Sequence, residues 1–213
     1  MPENNLEFNA QINSFKKEYP CFQERNNKNY SFLKGILDIP NDDEEIAGSF
    51  SIEIHPTKNF PFAFPILYEV GNDIPCEADW HKYSDNSCCL TIPAEEILIC
   101  KRGITIVEFV SNIAIPYFAN QLHKKHTGHY MHEYSHGSKG IQEFYTELFQ
   151  SKDYNLWEQC IKVALGKIKY GRNEKCYCNS GKKYKKCHFL IEDDVRKIGK
   201  EQIMIDFKIM KLI

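Results

Sequence analysis

Apolar side chains near the start of the chain recur at the spacing of a helix. The pattern consists of Phe8, Ile12, Phe15 and Tyr19, at positions i, i+4, i+7 and i+11. Residues at these intervals share one face of a helix. Because proline disfavours a helix interior, Pro20 is expected to end this helix.

Three strand-like segments follow the predicted helix. Residues 30–39 form a largely apolar run, residues 48–55 alternate from Phe50 onward, and residues 66–70 form a third run. Alternation with a period of two is typical of a strand with one buried face. Because short, proline-containing links join the segments, an antiparallel meander is the simplest arrangement.

Helical spacing returns in the second half of the chain. It extends over residues 104–125, 139–150 and 154–169, and Pro116 is expected to kink the first of these helices. Residues 71–103 lack a long periodicity, and a long irregular segment inside a compact domain is usually functional. The pattern predicts an α+β fold made of a helix, a β-meander, a functional loop and further helices.

Charge divides the chain into two unlike parts. The net charge is −2, yet residues 162–213 hold 14 Lys and Arg against 6 Asp and Glu. This asymmetry indicates a domain boundary and a basic interaction surface, although a solvated lysine-rich face explains most of these lysines equally well. Apolar residues at every second position from Ile203 to Ile209 predict an edge strand or partner-binding strand within residues 191–213.

Nine cysteines are an unusual number for a chain of 213 residues. The count is odd and the N-terminus lacks a charged-then-apolar signal segment, so we expect reduced thiols in a cytoplasmic protein. The longest apolar run, residues 113–119, is too short to cross a bilayer, so we expect no membrane partner. Each cysteine is then a packing residue, a metal ligand or a nucleophile. The following four are interpreted as packing residues: Cys21, Cys76, Cys100 and Cys160.

Four candidate metal ligands lie close together near the C-terminus. They are Cys176, Cys178, Cys187 and His188. Thiolate and imidazole groups are the ligands of tetrahedral zinc, and the neighbouring lysines favour the thiolate form. The C-x-C pair departs from the commoner C-x2-C spacing, so spacing alone leaves unligated thiols as an alternative.

Residues 171–188 resemble the SEC-C motif, a short zinc-binding element found at the C-terminus of the SecA translocase and on other bacterial proteins. They read GRNEKCYCNSGKKYKKCH and match the motif at its glycine, arginine, lysine, tyrosine, cysteine and histidine positions. The resemblance implies a structural Zn2+ on Cys176, Cys178, Cys187 and His188, together with a docking surface. The sequence has no G-x-x-x-x-G-K-[ST] phosphate-binding loop, which excludes the SecA motor itself.

The irregular segment also holds a candidate nucleophile. Cys88 and Cys89 follow a polar run, and His81 lies eight residues before Cys89. A thiol in an exposed loop near a base is a candidate nucleophile because the thiolate is the reactive species. On these residues alone, a packing role for both cysteines stays open.

The order of elements resembles the ubiquitin-conjugating enzyme (E2) family over roughly residues 5–125. The resemblance rests on the helix and meander, on the segment Phe-Pro-Phe-Ala-Phe-Pro at residues 60–65, and on Cys89-Leu90 after a long loop. It implies an E2-like fold in which Cys89 is catalytic. The family's H-P-N tripeptide is missing, and His81 stands where the family has an asparagine that stabilises an oxyanion. An imidazole can donate the same hydrogen bond or accept a proton from an attacking amine.

The resemblance implies an acyl carrier. The activated C-terminus of a protein substrate would pass to Cys89 as a thioester, with or without a separate activating enzyme. An acceptor amine on a protein or small molecule would then attack the thioester. Bacterial E2-like proteins of defence operons also depart from H-P-N, which implies antiviral defence of the CBASS type on a cGAS-like nucleotidyltransferase.

Two further interpretations belong to other functional classes. A non-catalytic adaptor would combine an inactive E2-like fold with the zinc motif to dock a protein partner. Alternatively, residues 162–188, with nine Lys and Arg against one acidic residue, would bind nucleic acid or ribosomes, although no aromatic recognition motif accompanies them.

These inferences divide the chain into three parts. They are an E2-like domain at residues 1–166, a SEC-C motif at residues 170–190 and a C-terminal tail at residues 191–213. Further histidines recur at and after the end of the helix predicted over residues 104–125; they are His123, His126, His129, His132 and His136. With Glu133 they could bind a metal, but surface histidines are the favoured interpretation.

Overall fold

A computed structural model gives the fold of the protein. It describes residues 1–131 and 134–212. His132 and Glu133, which belong to the alternative metal site, lie outside the described residues, and so does Ile213. No disulfide joins any of the nine cysteines, all of which lie in the described part.

The described residues form two compact units. The first holds residues 1–91 and 99–131, and the second holds residues 92–98 and 134–212. In neither unit does the described chain contain a helix that is long and apolar enough to cross a bilayer.

The first unit begins with a helix and an antiparallel sheet. The bounds of these elements are Leu6–Glu18 (α1), Gln23–Asn26 (β1), Ser31–Pro40 (β2), Ile46–His55 (β3) and Ile66–Glu69 (β4). The strands are ordered β1-β2-β3-β4, so each pairs with its neighbour along the chain. The predicted α+β fold with a β-meander is confirmed, while the E2-like fold stays a prediction.

The apolar face of α1 is buried as its spacing predicts. Phe8, Ile12 and Phe15 are at most 2% exposed and share one hydrophobic core with apolar residues of the sheet. Asn5 caps the helix, because its side-chain oxygen accepts a hydrogen bond from the N–H of Phe8 at 3.0 Å. Its amide group donates to the carbonyl oxygen of Thr57 at 3.0 Å, which ties the start of the helix to the chain after β3.

Strand β1 is an element that the sequence pattern misses. All of its residues, Gln23–Asn26, are polar and exposed, so they show no alternation. The strand exists because its backbone pairs with the edge of β2, where Gln23 lies opposite Lys34. Pairing of this kind depends on backbone groups rather than on side-chain burial.

A nearly continuous helix follows the irregular segment. Ile106–Phe109 (α3) and Ile115–Thr127 (α4) are joined by a π-helical turn over Val110–Ala114. In this turn the N–H of Ile115 donates to the carbonyl oxygen five residues earlier. Pro116 has no N–H and crowds the preceding turn, so the wider π turn stands where the sequence predicts a kink.

The second unit is helical. Its elements are Pro93–Ile99 (α2, except its last residue), Ser138–Phe149 (α5), Tyr154–Ala164 (α6), His188–Ile198 (α7) and Lys200–Ile209 (α8). The core is aromatic: Tyr145, Phe149 and Trp157 are at most 1% exposed, and their ring centroids lie 5.4–6.1 Å apart.

The predicted C-terminal strand is wrong, because α7 and α8 occupy this part of the chain. Ile203 and Phe207 are buried, whereas Ile205 and Ile209 are about half exposed. Residues four apart share one face of a helix, so Ile203 and Phe207 face the core while Ile205 and Ile209 face the solvent. The buried side includes Asp206, which accepts a hydrogen bond from the Tyr145 hydroxyl at 2.8 Å.

The boundary between the units lies before the predicted boundary near residue 166. Helices α5 and α6, which the sequence assigns to the first domain, belong to the second unit. Their residues Phe144 and Cys160 share one core with Tyr177 and Tyr184 of the cysteine-rich segment. That short segment has few apolar residues of its own, so the preceding helices supply the core that it needs.

Candidate active site and candidate metal centre

The chain after β4 returns along the edge of that strand and carries the candidate nucleophile. The N–H of Cys88 donates to the carbonyl oxygen of Leu67 at 2.8 Å. On the other side, the N–H of Cys89 donates to the carbonyl oxygen of His81 at 2.7 Å. The two cysteines therefore lie between β4 and the turn that contains His81.

The two adjacent thiols have different surroundings. The Cys88 side chain packs against the core beside the hydroxyl of Tyr117, and burial raises the pKa of its thiol to about 12. Cys88 and Cys89 are both partly exposed, but the Cys89 thiol forms a hydrogen bond with the phenol of Tyr83, which raises the pKa of Tyr83 to about 12. Successive residues of an extended segment point to opposite sides, so Cys89 offers the more reactive position.

His81 holds a constrained conformation beside Cys89. Its φ of 46° and ψ of 38° lie in the left-handed region, which costs a residue other than glycine about 1–2 kcal/mol. Its carbonyl oxygen accepts hydrogen bonds from the N–H of Cys89 and, at 3.0 Å, from the hydroxyl of Tyr117. Its ring packs against Tyr130, with the centroids 5.3 Å apart. The two predicted active-site residues are thus joined through their backbones.

A buried ion pair supports this segment, and sequence reasoning misses it. The ammonium of Lys82 lies 2.5 Å from a carboxylate oxygen of Glu69, and both side chains are fully buried. The ammonium also donates to the carbonyl oxygen of Ile74 at 3.0 Å, and the carboxylate accepts from the N–H of Asp73 at 3.3 Å. The pair ties residues 73–82, in the first part of the irregular segment, to the end of β4. One lysine and one glutamate thirteen residues apart carry no periodic signal that could reveal it.

The four predicted metal ligands lie together in the second unit. Their ligand atoms, three Sγ atoms and the Nδ1 atom of His188, all lie within 4.8 Å of one another. Nδ1 is 3.3 Å from the sulfur atoms of Cys176 and Cys187, and the sulfur atoms of Cys178 and Cys187 are 3.5 Å apart. Zn–S and Zn–N bonds of about 2.3 and 2.0 Å imply separations of about 3.8 and 3.5 Å around a tetrahedral ion. The cluster can therefore hold a metal with small adjustments.

A tight turn brings the two cysteine pairs together. Asn179 and Gly181 have φ values of 57° and 73°, and glycine and asparagine adopt this left-handed region most readily. The N–H of Cys176 donates to the carbonyl oxygen of Lys182 at 2.8 Å, which closes the turn. His188 then begins α7, so a regular helix fixes the direction of the fourth ligand.

Buried polar groups surround the cluster, and the sequence gives no signal for them. The hydroxyl of Tyr177 donates to Glu192 at 2.7 Å, and Tyr184 donates to its other carboxylate oxygen. Burial raises the pKa of Glu192 and lowers that of His188, which favours the neutral imidazole that a metal requires. Nδ1 of His188 is the ring nitrogen that faces the thiols, and its Nε2 atom is buried without a hydrogen-bond partner among the described residues.

Comparison with known proteins identifies this segment. The model of the SEC-C motif matches residues 172–190. These residues form a SEC-C motif. SEC-C is a zinc-binding motif, which agrees with the donor set of the cluster.

Curated relatives match the same part of the chain. SecA translocase subunits of Borreliella burgdorferi (strain ZS7), Borreliella afzelii (strain PKo) and Borrelia garinii subsp. bavariensis are each 61% identical to it over 28 residues. The match covers 13% of this chain and 3% of each SecA subunit. No solved structure matches the chain. The similarity therefore concerns the SEC-C motif.

Proposed function

We propose that the first unit is an acyl carrier of the E2 type and that Cys89 carries the acyl group. The contrast between two adjacent thiols supports this proposal most directly. Both residues are partly exposed, but the Cys88 thiol packs against the core and its pKa is raised by burial. The Cys89 thiol lies beside the Tyr83 phenol, and the Cys89 N–H is bonded to His81. A nucleophilic thiol needs access to its substrate and a polar neighbour, and Cys89 has both.

The proposed reaction consists of two acyl transfers. In the first, the Cys89 thiolate attacks the carbonyl carbon of a protein C-terminus held as a thioester. The new S–C bond forms, the donor's C–S bond breaks and the donor leaves as a thiolate. In the second, an acceptor amine attacks the Cys89 thioester, forms an amide and loses a proton, and Cys89 leaves as a thiolate.

Each transfer passes through a tetrahedral oxyanion, which positioned hydrogen-bond donors stabilise. The backbone link between His81 and Cys89 supports a role for the imidazole as such a donor or as the base for the amine. The Tyr83 phenol, hydrogen-bonded to the sulfur, can stabilise the thiolate that leaves in the second step.

We also infer that Cys176, Cys178, Cys187 and His188 hold one structural Zn2+. Three thiolates and one imidazole complete a tetrahedral site and leave no position for a substrate. The ion would join the turn at Cys176 to the start of α7 and would stabilise the second unit. The acyl chemistry at Cys89 takes place in the other unit and involves none of these ligands.

A non-catalytic docking protein is the second candidate function. Exposed lysines around the SEC-C motif, Lys175, Lys182, Lys183 and Lys186, favour an anionic partner. A docking protein would not need a reactive Cys89, so one experiment separates the two functions. The nucleotidyltransferase substrate and the defence role stay predictions from the family resemblance.

The test uses the purified full chain and a short peptide thioester that ends in glycine. The thioester is added, and acyl adducts are mapped to individual cysteines by mass spectrometry after acid quenching. Cys21 and Cys76 are exposed thiols of the same chain and serve as internal controls. Free lysine is then added, and we expect the Cys89 adduct to transfer to its amine at least ten times faster than the control adducts. Equal transfer rates at the three sites would contradict the acyl-carrier proposal and favour the docking protein.

A further inference from the structure

One face of α4 holds three successive carbonyl groups of the turn that precedes the candidate nucleophile. The oxygens belong to residues 79–81. Lys124 donates to the first, Gln121 donates to the second at 3.1 Å, and Tyr117 donates to the third at 3.0 Å. The spacing of these three residues, i, i+4 and i+7, places them on one side of the helix. We call them the carbonyl-binding face.

The members of this face are held in place by further contacts. Gln121 is 1% exposed and Lys124 is 9% exposed. The Lys124 ammonium lies 4.8 Å from the ring centroid of Trp80 and 4.3 Å from that of Tyr130. The Tyr130 hydroxyl donates to the side-chain oxygen of Gln121 at 3.1 Å, which directs the Gln121 amide nitrogen toward the turn. The donors are therefore oriented before any substrate binds.

Apolar side chains alone would be enough to pack a helix against a turn. Burying a polar side chain costs free energy unless that side chain finds a hydrogen-bond partner. Here all three polar groups are directed at main-chain oxygens, and the last oxygen is that of His81. The same oxygen accepts from the N–H of Cys89. Two donors from different elements thus fix the left-handed residue next to the candidate nucleophile, and surrounding contacts of this kind are what maintain such a conformation.

We propose that Tyr117, Gln121 and Lys124 are positioning residues for acyl transfer from Cys89. This inference rests on the acyl-carrier function proposed above. Both steps pass through an oxyanion, but only attack by the amine also needs a base, so the second step depends more on the position of His81. Because a misplacement of about 1 Å can slow a reaction about a hundredfold, loss of the face slows the second step more than the first.

Tyr117→Phe gives the first test, because it removes one hydroxyl and keeps the ring. The variant is loaded with the same glycine thioester, and single-turnover transfer to free lysine is measured over a range of lysine concentrations. We expect loading within twofold of the native protein and a maximal transfer rate about ten- to a hundredfold lower, with the half-saturating lysine concentration unchanged. Transfer within twofold of the native rate would overturn the proposal.

Lys124→Met, with Lys125→Met as its matched control, gives a second test. Lys125 is exposed and its ammonium lies over the ring of Phe50, outside the carbonyl-binding face. We expect slower transfer in Lys124→Met and native transfer in Lys125→Met. Equal rates in the two lysine variants would overturn the proposal even if Tyr117→Phe were to fold poorly.

A double-mutant cycle separates positioning from general stability. His81→Gly keeps the carbonyl oxygen that Tyr117 binds but removes the imidazole that the carbonyl-binding face is proposed to position, and it relieves the left-handed strain. We expect Tyr117→Phe to change the transfer rate less than twofold in the His81→Gly background. If the two effects multiply, the face does not act through His81 and the proposal is wrong. A different result would contradict the acyl-carrier function instead. In that case the native Cys89 adduct would transfer to free lysine no faster than the Cys21 adduct.

Discussion

The main chains of Cys89 and His81 are joined by a hydrogen bond of 2.7 Å from the N–H of the first to the carbonyl oxygen of the second. The bond does not depend on either side chain, so the loop keeps its geometry when the thiol or the imidazole is replaced. Substitutions at the two positions therefore report on chemistry rather than on folding. This property makes Cys89→Ser an informative variant, because its acyl adduct would be an ester that an amine attacks more slowly than a thioester.

Alkylation should distinguish the two adjacent thiols. With a pKa of about 12, roughly one Cys88 side chain in ten thousand is a thiolate at pH 8. An ordinary thiol with a pKa of about 8.5 is about one quarter thiolate at that pH. We expect iodoacetamide to modify Cys88 at least a hundredfold more slowly than Cys21 and Cys76, as mapped by mass spectrometry. Modification of Cys88 as fast as these exposed thiols would show that it is not held in the core.

Removal of one partner of the buried ion pair should destabilise the first unit. Lys82→Met leaves the Glu69 carboxylate buried without its counter-charge, and we expect a loss of about 3–5 kcal/mol in the free energy of unfolding. Lys34→Met is the control, because Lys34 is half exposed in its pair with Glu53, and an exposed pair contributes at most about 1 kcal/mol. Urea unfolding measures both. Similar losses would mean that water reaches the Lys82 pair.

The purified protein should contain about one zinc ion per chain. The double variant Cys176→Ser/Cys178→Ser removes two ligands, and we expect it to lose the metal and to unfold its second unit at a lower temperature. The matched control is Cys21→Ser/Cys76→Ser, which removes two exposed thiols outside the cluster. Elemental analysis measures the zinc content of both variants and so tests whether Cys176 and Cys178 bind the metal. Full zinc content in the Cys176/Cys178 variant would refute this ligand assignment.

Asp206 should make the second unit less stable as the pH rises. Burial raises the pKa of this carboxyl above 3.8, although Tyr145 and Gln202 donate hydrogen bonds to it. A folded-state pKa above the unfolded value means that the group's contribution is fully present below about pH 3.8 and is lost as the pH rises through the folded value. We expect Asp206→Asn to remove this loss, so its stability relative to the native protein increases from pH 3.5 to pH 7.

Thermal unfolding at the two pH values measures the Asp206 effect. Fluorescence in a Trp80→Phe background isolates Trp157, which is fully buried in the second unit. A constant difference between the two proteins over this range would mean that the pKa of Asp206 is not raised.

The periodicity of apolar residues predicts those helices and strands in which one face of side chains is buried in the core. The α1 face of Phe8, Ile12 and Phe15 and the alternation in β3 are confirmed, because a single core buries them. At α8 the same kind of pattern predicts a strand, and this prediction is wrong. Apolar residues at every second position are also compatible with a helix that has one buried side. Strand β1 has no apolar pattern, since its pairing uses backbone groups alone.

The two candidate sites differ in how much the sequence reveals. A metal cluster draws its ligands from one short segment, so local spacing predicts Cys176, Cys178, Cys187 and His188 as a group. The surroundings of Cys89 combine residues that are distant in sequence. Lys82 meets Glu69, and Tyr117 meets His81, only after the chain has folded, and neither contact leaves a periodic signal.

The π turn at Val110–Ala114 sets the rotational phase of everything after it. An α-helix turns about 100° per residue, and a π turn accommodates one additional residue. A regular α-helix with the same number of residues would rotate Tyr117, Gln121 and Lys124 by about 100° about the helix axis, away from the turn at residues 79–81. Deletion of a single residue within the π turn, such as Ser111, would restore regular winding and leave the three side chains on their present face. Deletion of Ala119 would instead rotate Gln121 and Lys124 by about 100° relative to Tyr117, so the position of a deletion in this helix decides whether the carbonyl-binding face survives.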